Sequence, residues 1–299
     1  MAVAHVEEAE TNERDDNFKP VFKYYKMKKP KPSLKDVLDF DNECNIEEWE
    51  KIHLCGSDNI SYLGFQSSNW VAWKNQSIPG LIFINNPFTS IGQSEWITRC
   101  IQDFPEKPNK TNLDAHYAVP SMIYKTELFR KLRWATLGYH HDWDTKVYIK
   151  ESYTPIPKIM DDLTKVIISA IEYKSSYQAE AAIVNYYHLD STLAAHIDHS
   201  EYDKKAPLIS ISFGQPAIFL LGGTTKKIKP IGIFLRSGDI LITQDDCRQA
   251  YHAVPKVFYN KETSIRYQEL GAYSKEYLED SRINMNIRQV CEPGKGFPD

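Results

Sequence analysis

Beyond residue 180 the chain breaks into short apolar runs at 182–187, 208–213, 217–221, 232–235, 239–243 and 283–290. Gly214-Gln215-Pro216, Gly222-Gly223 and Ser237-Gly238 punctuate them. Runs this short, rich in β-branched residues and bounded by turn residues, read as strands rather than helices. A succession of them predicts a double-sheet jelly roll. One run carries more than architecture. In Arg282-Ile283-Asn284-Met285-Asn286-Ile287-Arg288 the polar and apolar residues alternate strictly, so one face of that strand is polar and the other apolar. Turned inward, the polar face lines a pocket with two guanidinium groups, whose planar two-pronged donors suit carboxylates better than ammonium does. Turned outward, it is a solvated edge.

A metal-binding pattern lies between these runs. In His196-Ile197-Asp198 the two outer side chains project from one face if the segment is a strand. A third ligand must come from elsewhere, and His252, in Tyr251-His252-Ala253-Val254-Pro255, is the downstream candidate. Two imidazoles and one carboxylate on one face make the facial triad of non-haem iron(II) oxygenases, with positions left for cosubstrate and oxygen. His-x-Asp alone is a weak signal, but with an arginine-bearing inner strand it gains specificity.

The ordered set Asn185-Tyr186-Tyr187, His196-Ile197-Asp198, 216–223, Ser237-Gly238-Asp239, His252 and 282–288 resembles the AlkB family of 2-oxoglutarate-dependent dioxygenases. Leu132-Arg133-Trp134, Gly138-Tyr139-His140, the stretch 185–193 and Ser212-Phe213-Gly214-Gln215 are similar to the branch of the first animal AlkB homologues. The resemblance runs from about residue 18 to residue 298. It implies a mainly β fold with α elements: a double-stranded β-helix (jelly roll) core with N-terminal helices and a substrate-lid hairpin. It implies iron(II) ligated by His196, Asp198 and His252, which form the catalytic centre. It implies 2-oxoglutarate contacts from Asn185, Tyr187, Arg282, Asn284 and Arg288, with Arg282 on the distal carboxylate, and substrate contacts from Tyr139, His140 and His141. The family's Asn-x-Thr-x-Arg form reads Asn284-Met285-Asn286-Ile287-Arg288 here.

The implied activity consumes O2 and 2-oxoglutarate, releases succinate and CO2, and oxidises or removes methyl groups on bases of tRNA and/or DNA, in the N6-methyladenine, 1-methyladenine and 5-methylcytosine class. A protein side-chain demethylase or hydroxylase, such as one acting on histones, and a catalytically silent nucleic-acid-binding module are the alternatives. The expected partner is methylated nucleic acid, the expected assembly a monomer, and the expected compartments nucleus, cytoplasm and/or mitochondrion.

Composition bounds the rest. With 299 residues and 42% hydrophobic content, the chain can bury one substantial core. No apolar run approaches the roughly 20 residues of a membrane span. The five cysteines show neither metal-type spacing nor an even disulfide set, which fits a reducing compartment. Net charge is −4, yet residues 17–35 hold seven lysines, no acid, and Phe18, Phe22, Tyr24 and Tyr25. That segment either neutralises phosphates and stacks on bases or packs its aromatics on the core. Residues 1–16, acidic and poor in apolar groups, are expected to be disordered.

Helices are expected at 90–104, ended by Pro105, and at 157–173, each with an apolar stripe. Residues 134–144 are expected to form an aromatic hairpin facing a nucleotide, since an extruded base needs flat apolar partners. The adjacent His140 and His141 should point to opposite faces, which disfavours a second metal there. Residues 261–275 are expected to be an external loop. Three segments follow: an acidic then lysine- and aromatic-rich arm (1–45), a helical extension with the lid (46–150), and the dioxygenase jelly roll (151–299).

Overall fold

A computed structural model describes residues 15–55, 60–66, 69–262 and 269–297. The chain runs α1 (Phe18–Lys26), β1 (Val37–Leu38), β2 (Glu50–Cys55), β3 (Asn69–Lys74), β4 (Leu81–Ile84), α2 (Ser90–Thr98), β5 (Lys110–Thr111), β6 (Trp134–Asp142), β7 (Val147–Thr154), α3 (Lys158–Ala170) and β8 (Ala181–His188). It continues as β9 (Leu193–His196), β10 (Leu208–Gly214), β11 (Ala217–Leu221), β12 (Ile231–Leu235), β13 (Ile240–Thr243), β14 (His252–Val257), α4 (Ala272–Leu278) and β15 (Ser281–Arg288). Two sheets result. The larger has ten strands in the order β2-β3-β4-β13-β10-β15-β8-β6-β5, with β7 on β6; the smaller has five, β1-β12-β11-β14-β9. Together they form the expected jelly roll, and β2–β4 and β5–β7 lengthen the larger sheet at its two ends.

The alternation in β15 decides where the pocket lies. Ile283, Met285 and Ile287 are fully buried in the main core cluster with Ile209, Ile211 and Val184 of neighbouring strands and with Trp96, Ile97, Leu163 and Ile167 of α2 and α3. Helices therefore cover the outer face of the large sheet. By the twofold repeat of a strand, Arg282, Asn284, Asn286 and Arg288 face the space between the sheets, where they line a cavity. Burying a side chain such as Ile contributes about 1.5–3 kcal/mol, so the apolar face sets the register that presents the polar one. Pairing of β15 with β10 and β8 is continuous, Arg282 opposite Gly214 and Tyr187, Arg288 opposite Leu208 and Ala181.

Helix α2 starts on Thr89, whose Oγ1 accepts from Gly92 N at 2.9 Å, and passes into a π-helical turn, Arg99–Asp103. Helix α3 stops three residues before the expected 173, because Glu172 takes φ 55°, a left-handed conformation that ends α-helical hydrogen bonding. The expected loop 261–275 is corrected in part. Its end opens α4, which buries Tyr277 and Leu278; residues 263–268 lie outside the described residues.

The lysine-rich segment opens as α1. Phe18 and Tyr25 are buried and Phe22 packs beside them, against Ile218, Leu220 and Ala253 of the small sheet. Those aromatics cover the sheet, leaving Tyr24 exposed. The expected disorder of 1–16 falls almost wholly outside the described residues, although Asp16 Oδ1 accepts from Phe18 N and Lys19 N at the start of α1. All five cysteines are free. Among the described residues no helix is long and apolar enough to cross a membrane.

Candidate active site

His196 and His252 face each other across the β9–β14 ladder as direct register partners, with ring centroids 4.3 Å apart. Each ring is aimed by the same device. His196 Nδ1 lies 2.9 Å from Ala194 O and His252 Nδ1 3.1 Å from Ala250 O. A carbonyl only accepts, so each Nδ1 carries the proton and each Nε2 presents a lone pair, the usual backing of a metal-ligating histidine. Asp198 closes the set, with Oδ1 3.5 Å from His196 Nε2 and Oδ2 4.0 Å from His252 Nε2. One donor atom from each of the three lies within 4.8 Å of the others, and the 3.5 and 4.0 Å separations between carboxylate and imidazoles are ones that two metal–ligand bonds of about 2.0–2.2 Å can span. The donor chemistry, two imidazoles and one carboxylate, fits iron(II).

The shared-strand reading of His196 and Asp198 needs correction. Strand β9 ends at His196, since past that residue β14 no longer offers ladder partners, and Asp198 reaches the same point from the irregular segment that follows. Burial opposes the charge on Asp198, but Arg288, then His196 and His252, outweigh it and hold the carboxyl well below its ordinary range. Burial pushes His252 down to about 4, so this ring is neutral at physiological pH, as ligation requires.

A cavity of about 310 Å³ extends from the triad, and Asn185, Tyr187, Arg282, Asn284 and Arg288 all line it. The two arginines are not alike. Arg282 is 1% exposed. Its Nη2 donates to Ser212 Oγ at 2.6 Å and its Nη1 to Gln215 O at 3.4 Å, while Nε has no partner. No carboxylate pairs with it among the described residues, and burial pushes it down to about 10. A desolvated cation in a cavity without a counter-ion is costly, and an incoming carboxylate removes that cost. Arg282 therefore fits the distal carboxylate of a dicarboxylate cosubstrate. Arg288 is already paired, its Nη1 3.4 Å from Asp198 Oδ2 and 2.9 Å from Glu201 Oε1.

Asn284 braces the wall. Its Nδ2 donates to Ser210 Oγ at 2.9 Å, and its Oδ1 accepts from Asn286 Nδ2 at 2.9 Å. Asn286, where the family form has threonine, is thereby used as a donor. Burial raises the Tyr187 hydroxyl to about 12, which keeps it a neutral donor.

Of the three hairpin residues, only His141 faces the cavity, joined there by Trp143 and Lys146. The hairpin is longer than 134–144: β6 and β7 form it, and β6 also pairs with β8. His140 turns the other way, 3% exposed, its Nδ1 2.8 Å from Thr136 Oγ1. Tyr139 packs on Tyr153 and Phe297. Strand alternation separates His140 from His141, and an irregularity between Tyr139 and His141 breaks the pattern that would otherwise align those two. His141 Nε2 sits 2.9 Å from Ser200 Oγ, and its Nδ1 is buried without a partner.

Sequence reading missed Glu201, Arg248 and Tyr148. Glu201 is 1% exposed. Its Oε1 accepts from Arg288 Nη1 and Tyr148 OH, both at 2.9 Å, and its Oε2 from Arg248 Nη2 at 2.7 Å. Burial works against its charge, but Arg288 and Arg248 hold it at about 2. The available signal was only a glutamate three residues past Asp198.

Residues 80–288 match the family model of the 2OG-Fe(II) oxygenase superfamily. The chain is 34% identical to the human nucleic acid dioxygenase ALKBH1 over an alignment of 349 residues, covering 99% of this chain and 90% of that protein. It is 30% identical to the Arabidopsis thaliana DNA N(6)-methyladenine demethylase ALKBH1A over 314 residues, covering 89% and 90%. With the Schizosaccharomyces pombe tRNA demethylase abh1 it shares 34% over 246 residues, covering 72% and 80%. The chain therefore belongs to the AlkB family of the 2OG-Fe(II) oxygenase superfamily, and is an oxidoreductase that uses iron(II), 2-oxoglutarate and O2.

Proposed function

We propose that this enzyme oxidises methyl groups on the bases of nucleic acid, tRNA and/or DNA, with release of succinate and CO2. The observation that carries this reading is the cavity itself: it joins the triad to the uncompensated Arg282 on one side and to His141, Trp143 and Lys146 on the other. Trp143 is 47% exposed and lies against Trp134 and His141, a flat apolar surface of the kind on which an unstacked base is held. Relatives over most of the chain's length are named as a nucleic acid dioxygenase, a DNA N(6)-methyladenine demethylase and a tRNA demethylase.

His196, Asp198 and His252 hold the iron, which supplies oxygen activation when bound. Asn185, Tyr187 and Arg282 orient 2-oxoglutarate, Arg282 through its distal carboxylate, and Arg288 keeps Asp198 ionised. The paired sheets enclose the cosubstrate end of the cavity, and α1 backs the outer face of the small sheet. Tyr139 and His140 support the hairpin that carries His141, and His141 with Trp143 orients the base. From an N-methyl group the hydroxylated product collapses to formaldehyde and the bare nitrogen; from a C-methyl group the alcohol persists. The protein acts as a monomer in a compartment that holds such nucleic acid: nucleus, cytoplasm or mitochondrion.

The competing substrate class is a methylated protein side chain. Methylated tRNA, methylated single-stranded DNA and a trimethyl-lysine peptide, supplied together with iron(II) and 2-oxoglutarate, separate the two by mass spectrometry of each. Change in a nucleoside with the peptide intact is expected; change in the peptide alone overturns the proposal.

A further inference from the structure

Glu201 sits where three separate parts of the chain converge. It follows Asp198 by three residues on the segment leaving β9, Arg288 comes from the end of β15, Arg248 from the turn Asp245–Gln249 ahead of His252, and Tyr148 from β7. All four are buried. Arg288 Nη1 is divided between Glu201 Oε1 at 2.9 Å and Asp198 Oδ2 at 3.4 Å. Arg248 binds the same two residues differently, Nη2 to Glu201 Oε2 at 2.7 Å and Nη1 to the backbone carbonyl of Asp198 at 3.1 Å. Each arginine thus holds both residues, Arg288 through one shared nitrogen and Arg248 through two. Two cations and two carboxylates balance, and neither arginine is free to swing wholly onto Asp198.

We propose that Glu201 is a positioning residue for the iron site: by holding Arg288 and Arg248 it fixes the carboxylate of Asp198 toward the metal, and through Tyr148 it ties that carboxylate to the substrate hairpin. The contribution is competitive. Without the Glu201 charge, Arg288 has one buried carboxylate left to pair with, Asp198, and a carboxylate engaged by two guanidinium nitrogens is a poorer metal ligand. The Tyr148 hydroxyl is the one direct link from β7 into this group among the described residues, so a displaced hairpin removes a donor from Glu201. The inference rests on reading His196, Asp198 and His252 as the metal ligands.

The test is a titration of the full-length metal-free protein with cobalt(II), followed by absorbance without any turnover, on wild type, Glu201→Gln, Tyr148→Phe and Asp198→Ala. Outer partners of metal ligands typically govern about 10- to 100-fold in affinity, so Glu201→Gln is expected to weaken cobalt(II) binding by that range and to alter the spectrum of the saturated site. Tyr148→Phe, which leaves the charges in place, is expected to stay within about 3-fold of wild type in metal affinity while lowering kcat on nucleic acid. At saturating iron(II), Glu201→Gln is expected to keep the KM for 2-oxoglutarate within about 3-fold, since Arg282 is untouched.

Should Glu201→Gln fail to fold, Glu201→Gln/Arg248→Met keeps the buried charge balanced and must show the same loss. A folded Glu201→Gln, or that paired variant, with wild-type cobalt(II) affinity and spectrum overturns the proposal; if only the KM for nucleic acid then rises, Glu201 is a substrate contact. Wild-type metal binding by Asp198→Ala instead overturns the ligand assignment on which the proposal rests.

Discussion

Arg282 donates to Ser212 Oγ and Gln215 O and pairs with no carboxylate among the described residues, while Arg288, six positions along the same face, is shared between Asp198 and Glu201. That contrast has opposite consequences for stability and for binding. A buried charge without a counter-ion carries a desolvation penalty of several kcal/mol, which an apolar side chain of similar length does not. Arg282→Met is therefore expected to leave the urea midpoint of the ligand-free protein unchanged or raised, while the KM for 2-oxoglutarate rises about 30-fold or more, a loss of at least ~2 kcal/mol from one charged hydrogen-bonded pair. A second residue-scale expectation concerns His140, which burial, and then Lys110, push down to about 4. Its folded pKa lies below its unfolded value near 6.5, so the unfolded state binds more protons between those values. The stability is fully present above about pH 6.5 and is lost as pH falls toward 4. His140→Gln, whose amide can still hydrogen-bond the Thr136 hydroxyl, is expected to flatten the fall in unfolding free energy between pH 7 and pH 5 by about 1–2 kcal/mol, read from urea midpoints.

Periodicity made α2, α3 and six strands legible: the run 217–221 coincides with β11, and 283–290 is offset from β15 by two residues. Among the missing elements, β1 owes its existence to non-local pairing. The two-residue β1 exists because Val37 and Leu38 align in parallel with Gly232 and Ile233, and nothing in a dipeptide announces that. The candidate site divides in the same way. His196, Asp198, His252 and Arg282 were readable because ligand and carboxylate chemistry restrict the residue types; Arg248 and Tyr148 were not, because a buried arginine or tyrosine looks like a surface one until its partner 47 or 53 residues away is known. The back of the large sheet depends on an approach equally hidden. A Cβ at Gly92, in the first turn of α2, would stand 2.1 Å from Gly64 O and 2.4 Å from Gly64 Cα, with Gly64 itself at φ 80°. Gly92→Ala is expected to force α2 off this turn and cost about 1–3 kcal/mol, measured as a lower urea midpoint with the metal affinity retained.

As a whole molecule, the two sheets close over one cavity whose candidate metal and cosubstrate groups come from β8, β14 and β15 and from the end of β9 with its following segment. These are non-local partners that the unfolded chain does not assemble, so ligands bind the folded state preferentially. A ligand at about 100 times its Kd then adds about 2.7 kcal/mol. Metal with 2-oxoglutarate is expected to raise the Tm of wild type and a chelator to reverse the gain, whereas in Arg282→Met the same 2-oxoglutarate concentration is expected to add no more than about 1 kcal/mol beyond the metal alone. The central claim, that this site couples 2-oxoglutarate decarboxylation to oxidation of a methyl group on nucleic acid, is tested most directly by counting both products in one reaction. Purified iron-loaded protein is supplied with methylated tRNA or DNA, and succinate and altered nucleoside are quantified together. The expected result is succinate matched to methyl groups oxidised, with both absent from Asp198→Ala. Folded, iron-loaded wild type that leaves every methylated nucleoside unchanged, or that makes the same succinate with and without nucleic acid, would contradict it.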